Sequence, residues 1–315
     1  MHHVIRRLVA TIVTLFGVSI LIFGLVRLLP GDIATIIAGS EGQLSAEQRE
    51  AILRQFGLDR SLPVQYGLWI WNMVQGNFGW SFRNGEPVAT LLFSRLPLTI
   101  ELAVLSVALS SVFGLIFGVI ASISQRKGVK LGTQVFGLLG LSVPDFWIGV
   151  LLIIAASQIF HWLPPLTYAT LWKQPLANLQ QMVLPVLALS FGLGAVTMRM
   201  TRSSMLEVLG EEFVKVGRAK GLSESAILLR YALRNAFIPI VTILGLQMGV
   251  LLGGVVIIEQ VFGLPGLGWT LLNGVYQRDY PVVQGAVMLF AVGFALVNLL
   301  VDIVYTYLDP RIRHV

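Results

Sequence analysis

Apolar positions in this chain fall into long blocks nearly free of charge, not into the alternating or one-faced patterns of half-buried strands and surface helices. Six blocks approach the ~20 residues a helix needs to cross a bilayer core. Block 8–29 holds one charge, Arg27, near its end; 102–125 holds none; 131–160 is interrupted only by Asp145; 182–198 is short but uncharged; 236–258 and 280–301 are uncharged throughout. Lipid offers the backbone no hydrogen bonds, so each block is expected to be a helix. The expected fold class is an all-α polytopic membrane protein with six transmembrane helices.

Two polar segments of different character separate the blocks. Residues 31–98 carry five basic and six acidic side chains. Ser45 followed by Gln48 forms a capping-box pattern, Ile52, Leu53 and Phe56 supply an apolar stripe, and Gly57 stands where a C′ residue belongs, so a helix is predicted there. A second amphipathic stretch, 64–74, carries Tyr66, Trp69 and Trp71, and an aromatic turn with Phe78, Trp80 and Phe82 follows. Such aromatics suit a small cap packed at the headgroup level, or a ligand surface. Residues 199–235 are net basic, with seven basic and four acidic residues. Helix formers over 211–220, a break at Gly221 and Ser223 as the cap of a helix over 224–235 predict a helix–Gly–helix element. It reads either as an interfacial helix on anionic lipid, or as a bend whose Ala219, Gly221 and Leu222 seat in a partner's groove.

Composition sharpens this picture. Only 12% of the 315 residues are charged and 56% are hydrophobic, against about 25% and about 45–50% in soluble domains. Mean hydropathy is +0.80. The net charge of +6 would suit a nucleic-acid partner in a soluble chain, but basic loops on one membrane face account for it. With the N-terminus inside, 14 basic residues, from Arg6 and Arg7 to Arg311 and Arg313, fall on one side, while the two short opposite loops hold Lys173 and Arg278. Both termini are therefore expected in the cytoplasm, with no nucleic acid bound. The first block is too long for a signal-peptide core and lacks an A-x-A site, so it reads as a retained helix.

Several chemistries are excluded. The chain has no cysteine, hence no disulfide or thiolate metal site. It has no phosphate-binding loop and no soluble stretch long enough for a nucleotide-binding domain, so any ATP drive must come from a partner. Neither H-E-x-x-H nor G-x-S-x-G occurs. Asp145 is an ionisable group at membrane depth and so a candidate pathway residue. The favoured reading of the run Ser142-Val143-Pro144-Asp145 is an N-cap, an early proline and an N3 carboxylate, marking a helix restart within the third block, which is compatible with a pathway role if the break lines a water-filled cavity. Glu101 and Gln247 are the other pathway candidates. For Glu101 and Glu259 the outer interface is the default reading, and Gln247 serves equally as an interhelical hydrogen-bond partner. Gly245, Gly249 and Gly253 recur at four-residue intervals as a helix-packing ridge, a pattern that Gly114 and Gly118 repeat.

Strings along nearly the whole chain carry a resemblance. They include Leu29-Pro30-Gly31-Asp32, Phe78-Gly79-Trp80-Ser81-Phe82, Arg95-Leu96-Pro97, Ser142-Val143-Pro144-Asp145-Phe146-Trp147, Arg218-Ala219-Lys220-Gly221-Leu222, Pro265-Gly266-Leu267-Gly268, Arg278-Asp279-Tyr280-Pro281 and Leu308-Asp309-Pro310-Arg311. In this order they resemble the permease subunits of bacterial type I ABC importers, in the dipeptide/oligopeptide/nickel group, B-type subunit. The resemblance implies the type I importer permease fold with an extracytoplasmic helical insertion after the first helix. Residues 1–93 would form the first helix plus that segment. Residues 94–307 would form the transmembrane domain, with helices at about 99–125, 131–160, 182–200, 236–259 and 280–306 and a cytoplasmic coupling loop at 201–235. Residues 308–315 would be a cytoplasmic tail.

The resemblance further implies a bacterial inner-membrane complex with a second homologous permease subunit, two ATPase subunits and an extracytoplasmic solute-binding protein. This chain would bind no cofactor, ATP and Mg²⁺ belonging to the ATPases. Lys215, Ala219, Lys220, Gly221, Leu222 and Ser223 would face the ATPase. The general permease loop motif maps onto Lys215-Val216-Gly217, Gly221 and Tyr231-Ala232-Leu233-Arg234, where only the glycine and the leucine survive. Peptides are the expected cargo, with glutathione, nickel chelates or other small solutes as alternatives within the family. Two rivals from other classes are an ion-coupled carrier titrating at Asp145 and a membrane-embedded enzyme, the latter lacking any catalytic constellation.

Overall fold

A computed structural model describes residues 2–28, 45, 47, 50, 54, 59–165 and 167–308. Among these, the helices are α1 (His2–Leu28), α2 (Leu62–Val74), α3 (Val88–Ile123), α4 (Lys127–Ser142), α5 (Asp145–Phe160), α6 (Pro175–Gly210), α7 (Glu212–Ala219), α8 (Leu233–Gly254), α9 (Val256–Val261), α10 (Leu267–Tyr276) and α11 (Tyr280–Leu308). Five described helices are long and apolar enough to cross a membrane, and the bent pair α4–α5 makes a sixth crossing if counted as one span. The helix expected over 45–57 lies largely outside the described residues, as do the motifs at 29–32 and 309–311.

The chain divides into two compact units, Met1–Pro97 with Gly266–Ala295, and Leu98–Pro265 with Leu296–Val315. In the first, α2 packs on α1 through aromatic edges: Tyr66 lies 5.2 Å from Phe23, ring centre to ring centre, and Trp69 lies 5.7 Å from it. Ser19 and Tyr66 share a 2.7 Å hydrogen bond, which supplies the phenol with a partner among apolar neighbours. The aromatic turn after α2 bends at Gly76, Gly79 and Gly85, all at positive φ. Asp279 fastens it, its carboxylate accepting from Ser81 Oγ (2.5 Å) and from the Phe82 amide (3.2 Å). Helix α10 buries Leu267 against Val88, Leu92 and Val282. The sequence gives no sign of α10, whose ten residues are too few for a crossing and follow a Pro-Gly pair.

In the second unit α6 is the central helix, packed against α4, α5 and α8. Helix–helix association in lipid rests on close packing at small residues, and several contacts here require glycine. A Cβ at Gly114 or Gly118 of α3 would meet Thr197 or Thr201 of α6 at 2.4–2.5 Å, and one at Gly140 of α4 would meet Ala195 at 2.4 Å. A Cβ at Gly245 would likewise collide with the Val301 side chain. Gly249 is buried, whereas Gly253 is exposed and a Cβ there would meet no described atom within 4 Å.

Three elements differ from expectation. The third block does restart as the Ser142–Asp145 run predicts, but as two 16-residue helices at 104°, each ~24 Å long at ~1.5 Å per residue and too short to cross alone. The restart is capped by Pro144, not Ser142, and Asp145 stands at the first helical position rather than the third. Proline disfavours helical geometry at the preceding residue; Val143 is accordingly extended, and α4 ends at Ser142. The fourth block is the middle of a 36-residue helix that continues through Arg199 and Arg202 to Gly210. The helix expected at 224–235 runs on into the fifth block through a π-helical turn, Ile227–Ala232.

Gly114→Val is expected to lower the stability of the detergent-solubilised protein by about 1–3 kcal/mol through overpacking. Gly17→Val, where nothing lies within 4 Å, should leave the thermal midpoint nearly unchanged in the same unfolding scan.

Candidate coupling element and pathway residues

The bend at 211–223 is built by local rules. Helix α6 ends at Gly210, Glu211 takes an extended conformation, and α7 begins. At the other end of α7, Gly221 adopts φ +79°. Its N–H bonds the Arg218 carbonyl (3.0 Å) and the Leu222 N–H bonds the Gly217 carbonyl (3.2 Å), which together form a Schellman stop. Leu222 folds back over Gly217, whose absent Cβ would lie 3.4 Å from it. Ser223 then caps the next turn, its Oγ accepting from the Ala226 amide. Arg218 bridges the bend by pairing with both oxygens of Glu224, at 2.8 and 3.2 Å. That hydrogen bond and the Glu224 charge raise the Arg218 guanidinium above its ordinary range.

Two buried side chains anchor the element. Val214 of α7 and Ile227 of the π-turn are each 1% exposed. The six residues expected to face an ATPase, Lys215, Ala219, Lys220, Gly221, Leu222 and Ser223, are all exposed. Phe213 and Val216 add exposed apolar surface on the same short helix.

The pathway candidates occupy separate places. Asp145 is half-buried at the start of α5, with Oδ1 lying 2.7 Å from where a Gly192 Cβ would stand. A helix N-terminus favours a carboxylate at that position. Glu101 of α3 accepts a 2.9 Å hydrogen bond from Tyr168, in the segment between α5 and α6. Burial, and then that contact, push the Tyr168 hydroxyl above its ordinary range. Gln247 of α8 is buried and donates to the Leu193 carbonyl of α6 (3.0 Å), the interhelical role among its two readings. Among the described residues no hydrogen bond joins these three to one another.

Glu259, by default an interfacial residue, is enclosed by the chain itself. It is fully buried at the end of α9, where Thr99 Oγ1 donates to it at 2.6 Å. Thr99 lies 160 positions away in sequence, so no local pattern could have paired them. The Ser81–Asp279 bond is equally remote in sequence, although both partners stand within family-like strings. Among the described residues no group of three or more His, Asp or Glu is placed to hold a metal ion.

Comparison with known proteins decides the family. The model of binding-protein-dependent transport system inner membrane components matches residues 114–314, and the corresponding N-terminal model matches 1–103. This chain belongs to that family. A relative described as a peptide transport system permease, from Brucella abortus (strain 2308), is 41% identical over 99% of this chain and 98% of its own length. The glutathione transport system permease of Escherichia coli (strain K12) is 41% identical over all of this chain and 99% of its own. Among solved structures, an inward-facing methionine ABC transporter has a TM-score of 0.55 at 19% identity, covering 71% of this chain and 99% of that one. An amino acid ABC transporter also scores 0.55, at 18% identity over 69% and 94%. The chain therefore has the ABC-importer permease fold. It is a multi-pass inner-membrane subunit of a transport system whose ATPase is a separate component, which sets aside the ion-coupled carrier and the membrane enzyme.

Thr99→Val, which removes the hydroxyl bonded to buried Glu259, is expected to cost about 1–3 kcal/mol. Thermal unfolding in detergent checks this, with the exposed Arg218→Ala variant expected to unfold at the wild-type midpoint.

Proposed function

We propose that this chain forms half of the translocation pathway of an ATP-driven importer of peptides or related small solutes, and that a separate ATPase drives it through the bend at Gly221. The observation that carries this reading is an exposed α7–Gly221 element anchored by Val214 and Ile227 and continuous with two long helices, α6 and the helix leading into α8. A load applied to such an element is transmitted along helices that reach into the membrane-spanning core. Alternating access then follows as a rocking of helix bundles between two states.

In this reading a second, homologous permease completes the pathway, two ATPases bind ATP and Mg²⁺, and an extracytoplasmic binding protein delivers the solute. This chain binds no cofactor. Both termini face the cytoplasm, on the side where basic residues accumulate. Peptide or glutathione cargo is supported by the names of the relatives, both 41% identical across their lengths.

The test is Gly221→Glu in the reconstituted complex. A side chain at φ +79° is strained by about 1–2 kcal/mol, and the added carboxylate alters the exposed contact surface. Solute-stimulated ATP hydrolysis and peptide uptake are expected to fall about tenfold or more, with the complex still assembling in the membrane. Unaltered uptake and stimulation would refute the assignment of coupling to this bend.

A further inference from the structure

Two cavities in the unit formed by Met1–Pro97 and Gly266–Ala295 differ sharply in chemistry and share one wall, Phe78. The first, about 560 Å³, is lined by Arg27, Arg54 and Arg60 among aromatic and amide side chains, with no acidic residue among the described ones. The second, about 360 Å³, is lined by apolar side chains such as Phe16, Met73 and Val292, with Ser19 as its one polar residue. Three helices meet both cavities in the same order. Arg27 precedes Phe16 along α1 read backward, Gln65 precedes Met73 on α2, and Gln284 precedes Val292 on α11. At ~1.5 Å per residue, Gln284 and Val292 are separated by about 12 Å along the axis.

We propose that these cavities form one site for an anionic phospholipid of the bilayer, with the phosphate beside the guanidinium groups and an acyl chain in the apolar cleft. This goes beyond the transport reading and does not depend on it. Arg6 and Arg27 are separated along α1 by about 32 Å, close to the ~30 Å hydrocarbon thickness, which puts Arg27 at a headgroup level. Its guanidinium is held in place, with Nε and Nη2 donating to Gln65 Oε1 (3.2 and 2.8 Å) and Nη1 to the Phe23 carbonyl (3.1 Å). These bonds use three of its five N–H groups, and no described carboxylate lines the cavity beside it. Arg60 is exposed at the rim, while Arg54 is paired with Glu50. Tyr280, also in the lining, carries a buried hydroxyl with no hydrogen-bond partner. A water-soluble anion would use the cationic cavity alone. A cationic cavity adjoining an apolar cleft across the shared Phe78 fits an amphiphile.

The test is native mass spectrometry of the purified full-length chain in detergent with equal amounts of dioleoyl phosphatidylglycerol and dioleoyl phosphatidylethanolamine, and with glycerol phosphate as the free-anion arm. Phosphatidylglycerol should be retained preferentially, and Arg60→Gln together with Arg27→Gln should reduce that retention about tenfold. Arg60→Gln alone, at an exposed position, should reduce it in the same direction with helical content unchanged by circular dichroism. Val74→Trp, at an exposed position lining the cleft, should weaken lipid retention as well. Equal retention of the two lipids, indifference to Arg60→Gln, or competition by glycerol phosphate as effective as by phosphatidylglycerol would overturn the proposal.

Discussion

Helices in lipid gain little by burying apolar side chains against one another, because the hydrocarbon around them is equally apolar. What holds such a bundle is the closeness with which backbones approach, and in this chain that closeness is concentrated on α6. Gly114 and Gly118 of α3 and Gly140 of α4 each leave a space that Thr197, Thr201 or Ala195 of α6 fills. Gln247 of α8 adds a hydrogen bond to an α6 carbonyl. Dispersion at such contacts is strong because atoms meet without a void between them, and it is lost steeply when they separate. A helix held in this way on several sides moves as a body.

That constraint is what the proposed coupling role of the bend at 211–223 draws on. At 36 residues, α6 is about 54 Å long, well beyond the ~30 Å apolar layer. The surplus carries it to α7 without a flexible linker. On the far side of α7, Ser223 starts the helical run that passes through the π-turn into α8. The element is therefore clamped at both ends to helices that themselves pack together. Within it the exposed Arg218–Glu224 pair adds little, since exposed ion pairs are screened and entropically costly. The stiffness comes from Val214 and Ile227, which are buried, and from the Schellman stop, which satisfies two carbonyls at the end of α7.

Hydropathy made the crossings legible because it reports contact with lipid. It could not give helix length, because a helix requires only that its own carbonyls be bonded and continues through Arg199 and Arg202 once outside the hydrocarbon. For the same reason the helix expected over 224–235 runs into the fifth block without a break. The local signals that carry stereochemistry were readable: Gly221 at a left-handed position, Ser223 as a cap, and the proline that interrupts the third block. The cap at that restart was misplaced by two residues because proline acts on the residue before it, so Val143 extends and Ser142 stays helical. What no local pattern could show are the pairs remote in sequence. Thr99 with Glu259 and Ser81 with Asp279 turn residues that look interfacial or generic into buried hydrogen-bonded ones.

The buried polar pairs also limit where a solute can pass. A carboxylate removed from water must keep its partners or pay a large desolvation penalty, so Glu259 and Asp279, each nearly inaccessible and each accepting hydrogen bonds, act as fasteners of their loops and not as groups offered to a passing cargo. Gln247 is spent in the same way on α6. Polar groups available to a solute must instead be ones whose bonding is incomplete within the chain. Glu101 fits that description, since one of its oxygens is held by Tyr168 while the other is buried with no hydrogen-bond partner. In the proposed importer, a pathway shared with a second permease would draw on such half-satisfied groups, because they gain by meeting a partner or a cargo that the isolated chain does not supply.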